Sequence, residues 1–172
     1  MTALKTRLKQ LIAATGPISV AEFMAICLFD PQDGYYTTRE PFGASGDFIT
    51  APEISQMFGE LLGVWAYSAW IAAGKPIPFA LVEIGPGRGT LMVDMLRTID
   101  RLDPGFTAVS RIAMVEASPR LSEIQKQKFA TAGRAKPRWV TQVSDLPDIP
   151  LIVIANELFD DIPVRQFVNT EQ

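Results

Sequence analysis

Residues 79–90 read Phe-Ala-Leu-Val-Glu-Ile-Gly-Pro-Gly-Arg-Gly-Thr. A short apolar run ends in an acid, and a loop holding Gly85, Gly87 and Gly89 opens onto a helical pattern. Glycines remove Cβ atoms and allow positive φ, so backbone can turn tightly beneath a ligand. Parallel α/β sheets take their ligands beyond the carboxyl ends of the strands, where strand order reverses. If strand 81–84 is the first and central one, this loop lies at that end. Thr90 stands where a dinucleotide-binding loop takes glycine or alanine for close helix–strand packing. No Gly-Lys-Ser/Thr follows, so the loop is not a P-loop.

Two acids narrow the ligand. Glu83, just ahead of the loop, repels a pyrophosphate and attracts an ammonium or sulfonium group. Glu116 falls at the carboxyl end of the next strand, where a carboxylate can accept both hydroxyl hydrogens of a ribose. A positively charged adenosine without phosphates satisfies both, and S-adenosyl-L-methionine is such a molecule. Glu83, Gly85, Gly87, Gly89 and Glu116 are therefore candidate cofactor residues. The plain alternative is a strand–helix turn followed by a solvated strand end.

The elements that must position these residues follow from periodicity. Leu4, Leu8, Leu11 and Ile12 mark a helix over 2–15, stopped by Gly16-Pro17. Ser19 and Glu22 form a capping-box pattern before a second helix over 19–29. A turn at 30–34 and a polar loop at 37–47 come next. A long helix is expected over 53–73, with Ile54, Met57, Phe58, Leu61, Leu62, Trp65 and Ile71 at helical spacing. The rhythm then becomes strand, helix, strand: strands at 81–84, 111–116, 138–141 and 151–155, helices at 89–101 and 119–131. This alternation predicts a doubly wound, mostly parallel α/β sheet preceded by helices. The unbroken apolar run at 151–155 suits a central strand covered on both faces. Arg165 to Val168 is a candidate further strand. Residues 1–75 read as a helical, cofactor-covering segment and 76–172 as an α/β domain whose last strands are missing. The chain thus reads as truncated, or as the front of a longer protein. An unfinished sheet exposes a strand edge, which leaves room for a homo-oligomer.

Composition excludes several chemistries. The 172 residues carry a net charge of −3, which argues against a nucleic-acid surface driven by bulk charge. There is no histidine and one cysteine, so no Ser-His-Asp or Cys-His nucleophile, no zinc site of Cys and His ligands and no internal disulfide can form. No metal site is expected. Cys27 reads as a buried small hydrophobe. No stretch approaches a membrane span. The first ten residues do not read as a secretory signal; a mitochondrial transit segment is harder to exclude but is not expected, because the residues before the first helix are neither Ser-rich nor Arg-rich.

Through Glu83 to Gly89 and Glu116, the chain resembles class I S-adenosylmethionine-dependent methyltransferases. More narrowly it resembles the MidA family, whose mitochondrial members are arginine methyltransferases needed for assembly of respiratory complex I. The matching segments are Asp33-Gly34-Tyr35-Tyr36, residues 46–60, the glycine loop, and residues 156–164 from Asn156 to Val164. The family runs to about twice this length. The resemblance implies cofactor contacts at the glycine loop, Glu116 and Asn156, and a 46–60 segment that closes over the cofactor. It implies a protein acceptor, such as a complex I subunit or its bacterial counterpart. It places the protein in the bacterial cytoplasm or, in a eukaryote, in the mitochondrial matrix.

Methyl transfer from a sulfonium is an in-line displacement that asks mainly for positioning. For an arginine acceptor, carboxylates must orient the guanidinium. Glu157, Asp160 and Asp161, just past the fourth strand, are the candidates, with Asn156 on the cofactor or a substrate amide. A solvated turn before Pro163 is the rival for the aspartates. Glu53 and Gln56, and also Asp47, could touch the cofactor; helix capping competes for Glu53. Tyr35 and Tyr36 read as partly buried packing or as an acceptor pocket, and Trp65, Trp70 and Trp139 as core or subunit contacts. A non-catalytic binding module with the same fold is the alternative function. A nucleotide-dependent oxidoreductase fits the strand and loop but not Thr90 or Glu83.

Overall fold

A computed structural model describes residues 2–38, 50–133 and 137–169. Asp47 and most of the 37–47 loop lie outside the described residues. The chain forms two compact units, Met1–Pro41 with Glu157–Gln172, and Phe42–Asn156. No helix among the described residues is long and apolar enough to cross a membrane.

The first unit holds α1 (Ala3–Thr15), α2 (Val20–Phe29) and the single turn α3 (Tyr35–Thr38). The capping box at α2 is present in full, with Ser19 and Glu22 exchanging bonds at 2.8 and 3.1 Å. Asp30 accepts from the Gln32 and Asp33 amides at 2.9 Å each, which folds the expected turn. Arg7 of α1 pairs with Asp30 at 2.8 Å and Asp33 at 3.1 Å, tying the helix to that turn. Cys27 is half-buried rather than buried. Residues 165–168 form no strand, and Phe167 and Val168 are exposed.

The second unit holds α4 (Ala51–Ile54), α5 (Gln56–Ala72), β1 (Phe79–Ile84), α6 (Thr90–Leu102), α7 (Pro104–Val109), β2 (Ser110–Val115), α8 (Pro119–Thr131), β3 (Arg138–Val140) and β4 (Leu151–Ile154). The four strands are parallel in the order β3-β2-β1-β4, so β1 is interior, as its buried run demands. Two successive steps lead from β1 through β2 to β3 on one side, and β4 then returns to the other side of β1. The strand order therefore reverses between β1 and β4.

The two sheet faces differ. Phe79, Leu81, Met114 and Ile154 pack under α5, α6, α7 and α8 through Trp70, Met95, Phe106 and Phe129. Ala80, Val82, Ala113, Val115 and Val140 form the opposite face, covered by Leu146 and Ile149. Those two residues belong to the β3–β4 connection, which contains only a 3-10 turn at Val143–Asp145. Right-handed crossovers require this connection to pass on the face opposite α6 and α8. Because it is short and irregular, it stops short of β4, whose Leu151 and Val153 stay 39% and 41% exposed. The expectation of a central strand covered on both faces is thus corrected: among the described residues β4 is an edge strand, half covered.

The long helix expected over 53–73 is broken at Ser55, which is extended (φ −146°, ψ 123°) and caps α5 through the Met57 amide. Its expected apolar stripe is corrected in part: Phe58 and Leu62 pack against the core, but Ile54, Met57, Leu61, Trp65 and Ile71 are exposed, and Gly59, Gly63, Ala66 and Trp70 are the buried residues. A Cβ on Gly63 would stand 2.8 Å from the Met95 carbonyl oxygen and 3.1 Å from Met95 Cα, and one on Gly59 would stand 2.6 Å from Asp94 Cβ. The two glycines let α5 lie directly on the backbone of α6. Gly63→Val is expected to destabilise the fold by about 3 kcal/mol, because the obstructing atoms are main chain and cannot rotate away. Thermal unfolding reads this as a fall in melting temperature of about 6–12 °C. An unchanged midpoint would mean that the helices are not in contact there.

Candidate functional site

Beyond Ile84 the chain passes through Gly85, Gly87 and Gly89 at φ of +64°, +52° and +77°. L side chains resist this left-handed region, which explains three glycines in five positions. The Gly89 amide closes the turn on the Pro86 carbonyl at 2.7 Å, and Gly89 is the N-cap of α6. The Gly85 amide extends the ladder to the Val115 carbonyl at 3.1 Å, and the Glu116 amide reaches the Val140 carbonyl at 2.9 Å. Sheet pairing therefore starts the loop and Glu116 side by side, on strands roughly 5 Å apart. Asn156 follows Ile154 by two residues, and Ile154 is in register with Glu83. The glycine loop and half-buried Asn156 thus leave neighbouring strands at the reversal of strand order, where such sheets bind ligands.

Glu83 lies on the α6 side of the sheet with Phe79 and Leu81 and is 3% exposed. The Met92 amide, in the first turn of α6, donates to its carboxyl. Gly89 has no side chain with which to cap that helix, so the strand acid supplies the acceptor. Glu83 Oε2 is buried and has no hydrogen-bond partner among the described residues. Burial pushes the pKa of Glu83 up to about 8, against the opposing Met92 bond.

Glu116 is half-buried and held from both ends. Its Oε1 accepts from the Ser118 amide at 2.8 Å, and its Oε2 accepts from Gln125 Nε2 at 3.0 Å. Burial raises its pKa above the usual carboxylate range, opposed by bonds from Ser118, Gln125 and Ala117 and by the charge of Arg120. Gln125 also donates to the Gly87 carbonyl at 2.8 Å and accepts from Trp139 Nε1 at 2.8 Å. One fully buried amide thus joins the glycine loop, Glu116 and β3.

Glu53 of α4 reaches the same loop. It accepts from the Thr90 hydroxyl and lies 3.8 Å from the Arg88 guanidinium, while Lys128 of α8 donates to the Thr90 oxygen. Thr90, out of place in a dinucleotide loop, here links α4, α6 and α8. Gln56 donates instead to Glu60 within α5, at 2.6 Å.

Glu157, Asp160 and Asp161 belong to the first unit. Glu157 adopts φ +48°, a left-handed conformation uncommon outside glycine. Asp161 is hydrogen-bonded to the Tyr36 hydroxyl, and Asp160 adds its charge. The pKa of Tyr36 is raised chiefly by burial and then by these two acids. Tyr35 and Tyr36 are half-buried and stacked edge to face, with ring centroids 5.1 Å apart. The Asp33–Tyr36 motif and residues 157–164, distant in sequence, therefore belong to one unit, while Asn156 ends the other.

Gln125, Lys128 and Trp139 escaped sequence reasoning as members of this site. One signal was present. Gln125 sits between Leu121 and Phe129 at steps of four, a polar residue in the middle of the buried stripe of α8.

Comparison with known proteins agrees with this geometry. Residues 61–172 match the family Methyltransf_28, described as "Putative S-adenosyl-L-methionine-dependent methyltransferase". The mitochondrial protein arginine methyltransferase NDUFAF7 homolog of Drosophila melanogaster is 43% identical over 95% of this chain and 41% of that protein. The human protein arginine methyltransferase NDUFAF7 is 40% identical over 100% of this chain and 44% of its own length. The chain therefore spans about two fifths of the length of these curated relatives. Among solved structures, a COG1565 superfamily member from Burkholderia thailandensis, a likely methyl transferase bound to S-adenosyl-homocysteine, superposes with a TM-score of 0.78 at 28% identity. It covers 94% of this chain and 42% of that one. A match over more than half the chain, with relatives at this identity across nearly all of it, establishes that the chain belongs to this family of S-adenosyl-L-methionine-dependent methyltransferases.

Proposed function

We propose that the chain binds S-adenosyl-L-methionine at the glycine loop, and that the protein transfers the methyl group to an arginine of a protein acceptor. The observation that carries this reading is the placement of two acids around the glycine loop. Glu83 presents a buried oxygen with no partner among the described residues beside the first turn of α6, and Glu116 stands at the end of the adjacent strand. An ammonium or sulfonium draws the first acid into its ionised form and a ribose suits the second, whereas a pyrophosphate gains nothing from either carboxyl. The left-handed loop leaves no Cβ in the way at its three glycines.

In this reading Gly85, Gly87 and Gly89 seat the cofactor, Glu116 holds the ribose, and Asn156 borders the crevice. Glu53 and α4 cover the loop through Thr90 and Arg88. When bound, the cofactor supplies an electrophilic methyl group with a good leaving sulfur. The remaining work is orientation of the acceptor nitrogen and removal of one proton from it. Glu157 and Asp160, with Asp161 beside Tyr36, are assigned that part, because carboxylates pair with a guanidinium and localise its charge. A complex I subunit or its bacterial counterpart is the proposed acceptor. The mitochondrial names of the relatives support action in the mitochondrion for a eukaryotic protein; the matrix, or the cytoplasm of a bacterium, is the proposed compartment.

Calorimetric titration with S-adenosyl-L-methionine and with NAD tests the cofactor. Binding of the first and not the second is expected, and binding of NAD alone would overturn the reading. Incubation with arginine-bearing protein acceptors, followed by mass spectrometry, tests the rest. Cofactor binding without transfer to any of them would reduce the protein to a binding module.

A further inference from the structure

We infer that Gln125 is a positioning residue for the cofactor ribose: its buried amide sets the orientation of Glu116 and couples it to the backbone of the glycine loop. The inference rests on the proposed cofactor site. It begins from the fate of each polar atom of Gln125. The Nε2 group has two hydrogens, and both are used, one on the Gly87 carbonyl at 2.8 Å and one on Glu116 Oε2 at 3.0 Å. Oε1 accepts from Trp139 Nε1 at 2.8 Å. An indole nitrogen can only donate, so Trp139 fixes which end of the amide faces which neighbour. With Gln125 reversed, its oxygen would meet the Gly87 carbonyl and the carboxylate, and three bonds would be lost together.

This arrangement holds at 0% exposure, where an unmatched amide is costly. A leucine at position 125 would fill the stripe between Leu121 and Phe129 and serve packing as well. The polar residue is therefore explained by what it holds, and what it holds is the two parts of the seat. Glu116 Oε1 is already bound to the Ser118 amide, so the Gln125 bond on Oε2 fixes the rotation of the carboxylate. The remaining acceptor capacity of both oxygens is then aimed before any ligand arrives. Gly89 adds a steric limit, since a Cβ there would lie 3.2 Å from Gln125 Cγ.

The test compares two probes, S-adenosylhomocysteine and its analogue lacking the ribose 2′-hydroxyl, by calorimetry on the full protein. The unmutated protein is expected to prefer the parent compound by about 10-fold, the worth of one charge-assisted hydrogen bond. In Gln125→Leu the parent affinity falls about 10-fold and the preference shrinks to about 2-fold, because the carboxylate is no longer aimed. A purely structural defect weakens both probes equally and leaves the preference intact; that result would overturn the assignment. A double-mutant cycle with Glu116→Ala gives a second reading, with little further loss expected from Gln125→Leu once the carboxylate is gone. Additive losses would also overturn it. Trp139→Phe keeps the glutamine but frees its amide, and a partial loss of preference, about 3-fold, is expected. This variant carries the test if Gln125→Leu fails to fold, and an unchanged preference in it would count against the inference. If the unmutated protein binds neither probe, the cofactor site itself is wrong; if it binds and shows no coupling, only the role of Gln125 is.

Discussion

A Gly89→Val protein is expected to bind S-adenosylhomocysteine at least ~100-fold more weakly than the unmutated protein, and to melt earlier. Two independent costs fall on one position. Gly89 sits at φ +77°, and a β-branched residue forced into that region loses about 1–2 kcal/mol. The added Cβ would also stand 3.2 and 3.5 Å from Cγ and Cβ of Gln125. Overpacking at such a contact costs about 1–3 kcal/mol more. The chain can relieve both only by moving the loop, which breaks the 2.7 Å turn bond from Gly89 to Pro86 and shifts the N-terminus of α6. Gly74→Val is the matched control. Gly74 has φ +83°, but no atom of the described residues lies within 4 Å of its Cβ position, and it precedes the opposite end of β1. That variant is expected to lose stability while keeping its affinity. Equal affinity in Gly89→Val and the unmutated protein would remove the loop from the binding site.

Glu83→Gln is expected to raise stability at pH 7 by about 2 kcal/mol while weakening cofactor binding. The pKa of Glu83 is pushed up to about 8 from an ordinary value near 4.5, because burial penalises the charged form. Unfolded, the group loses its proton near 4.5; folded, it keeps it until about 8. The native state therefore binds more protons across this interval, and stability falls as pH rises through it, by about 1.4 kcal/mol per unit. At pH 7 the accumulated loss is about 3 kcal/mol, and the unpartnered amide of the glutamine gives back about 1. Chemical denaturation from pH 4 to 9 should show a falling curve for the unmutated protein and a flatter one for the variant. Parallel curves would mean that Glu83 is not the source of the slope. The loss of affinity has the same origin: a cationic ligand favours the ionised acid, and the amide has no charge to offer.

The ligand end of the sheet was legible in the sequence because its constraints are local. Three glycines in five positions report backbone dihedrals directly, and acids at the ends of apolar runs report strand ends. The four strands and helices α6 and α8 fell within a residue or two of their expected bounds for the same reason, whereas α7 had no counterpart in the expected pattern. The choice between two apolar sides of one helix was not local. Along α5, Met57, Leu61 and Trp65 make as good a stripe as Gly59, Gly63, Ala66 and Trp70, and only the backbone of α6 decides between them. Likewise the apolar run of β4 records what its residues prefer, not what covers them. Gln125 was visible as an anomaly in α8, yet its meaning depended on Gly87, 38 residues away in sequence.

Ser55 divides what would have been one rod. The segment before it carries Glu53, clasped to the side chains of Thr90 and Arg88; the segment after it is pressed main chain to main chain on α6. A continuous helix would force those two attachments to share one axis. A single extended residue gives the clasp its own pair of dihedrals. The acid can therefore meet the loop at its own angle, and the glycine-lined seam keeps its contact with α6 unchanged.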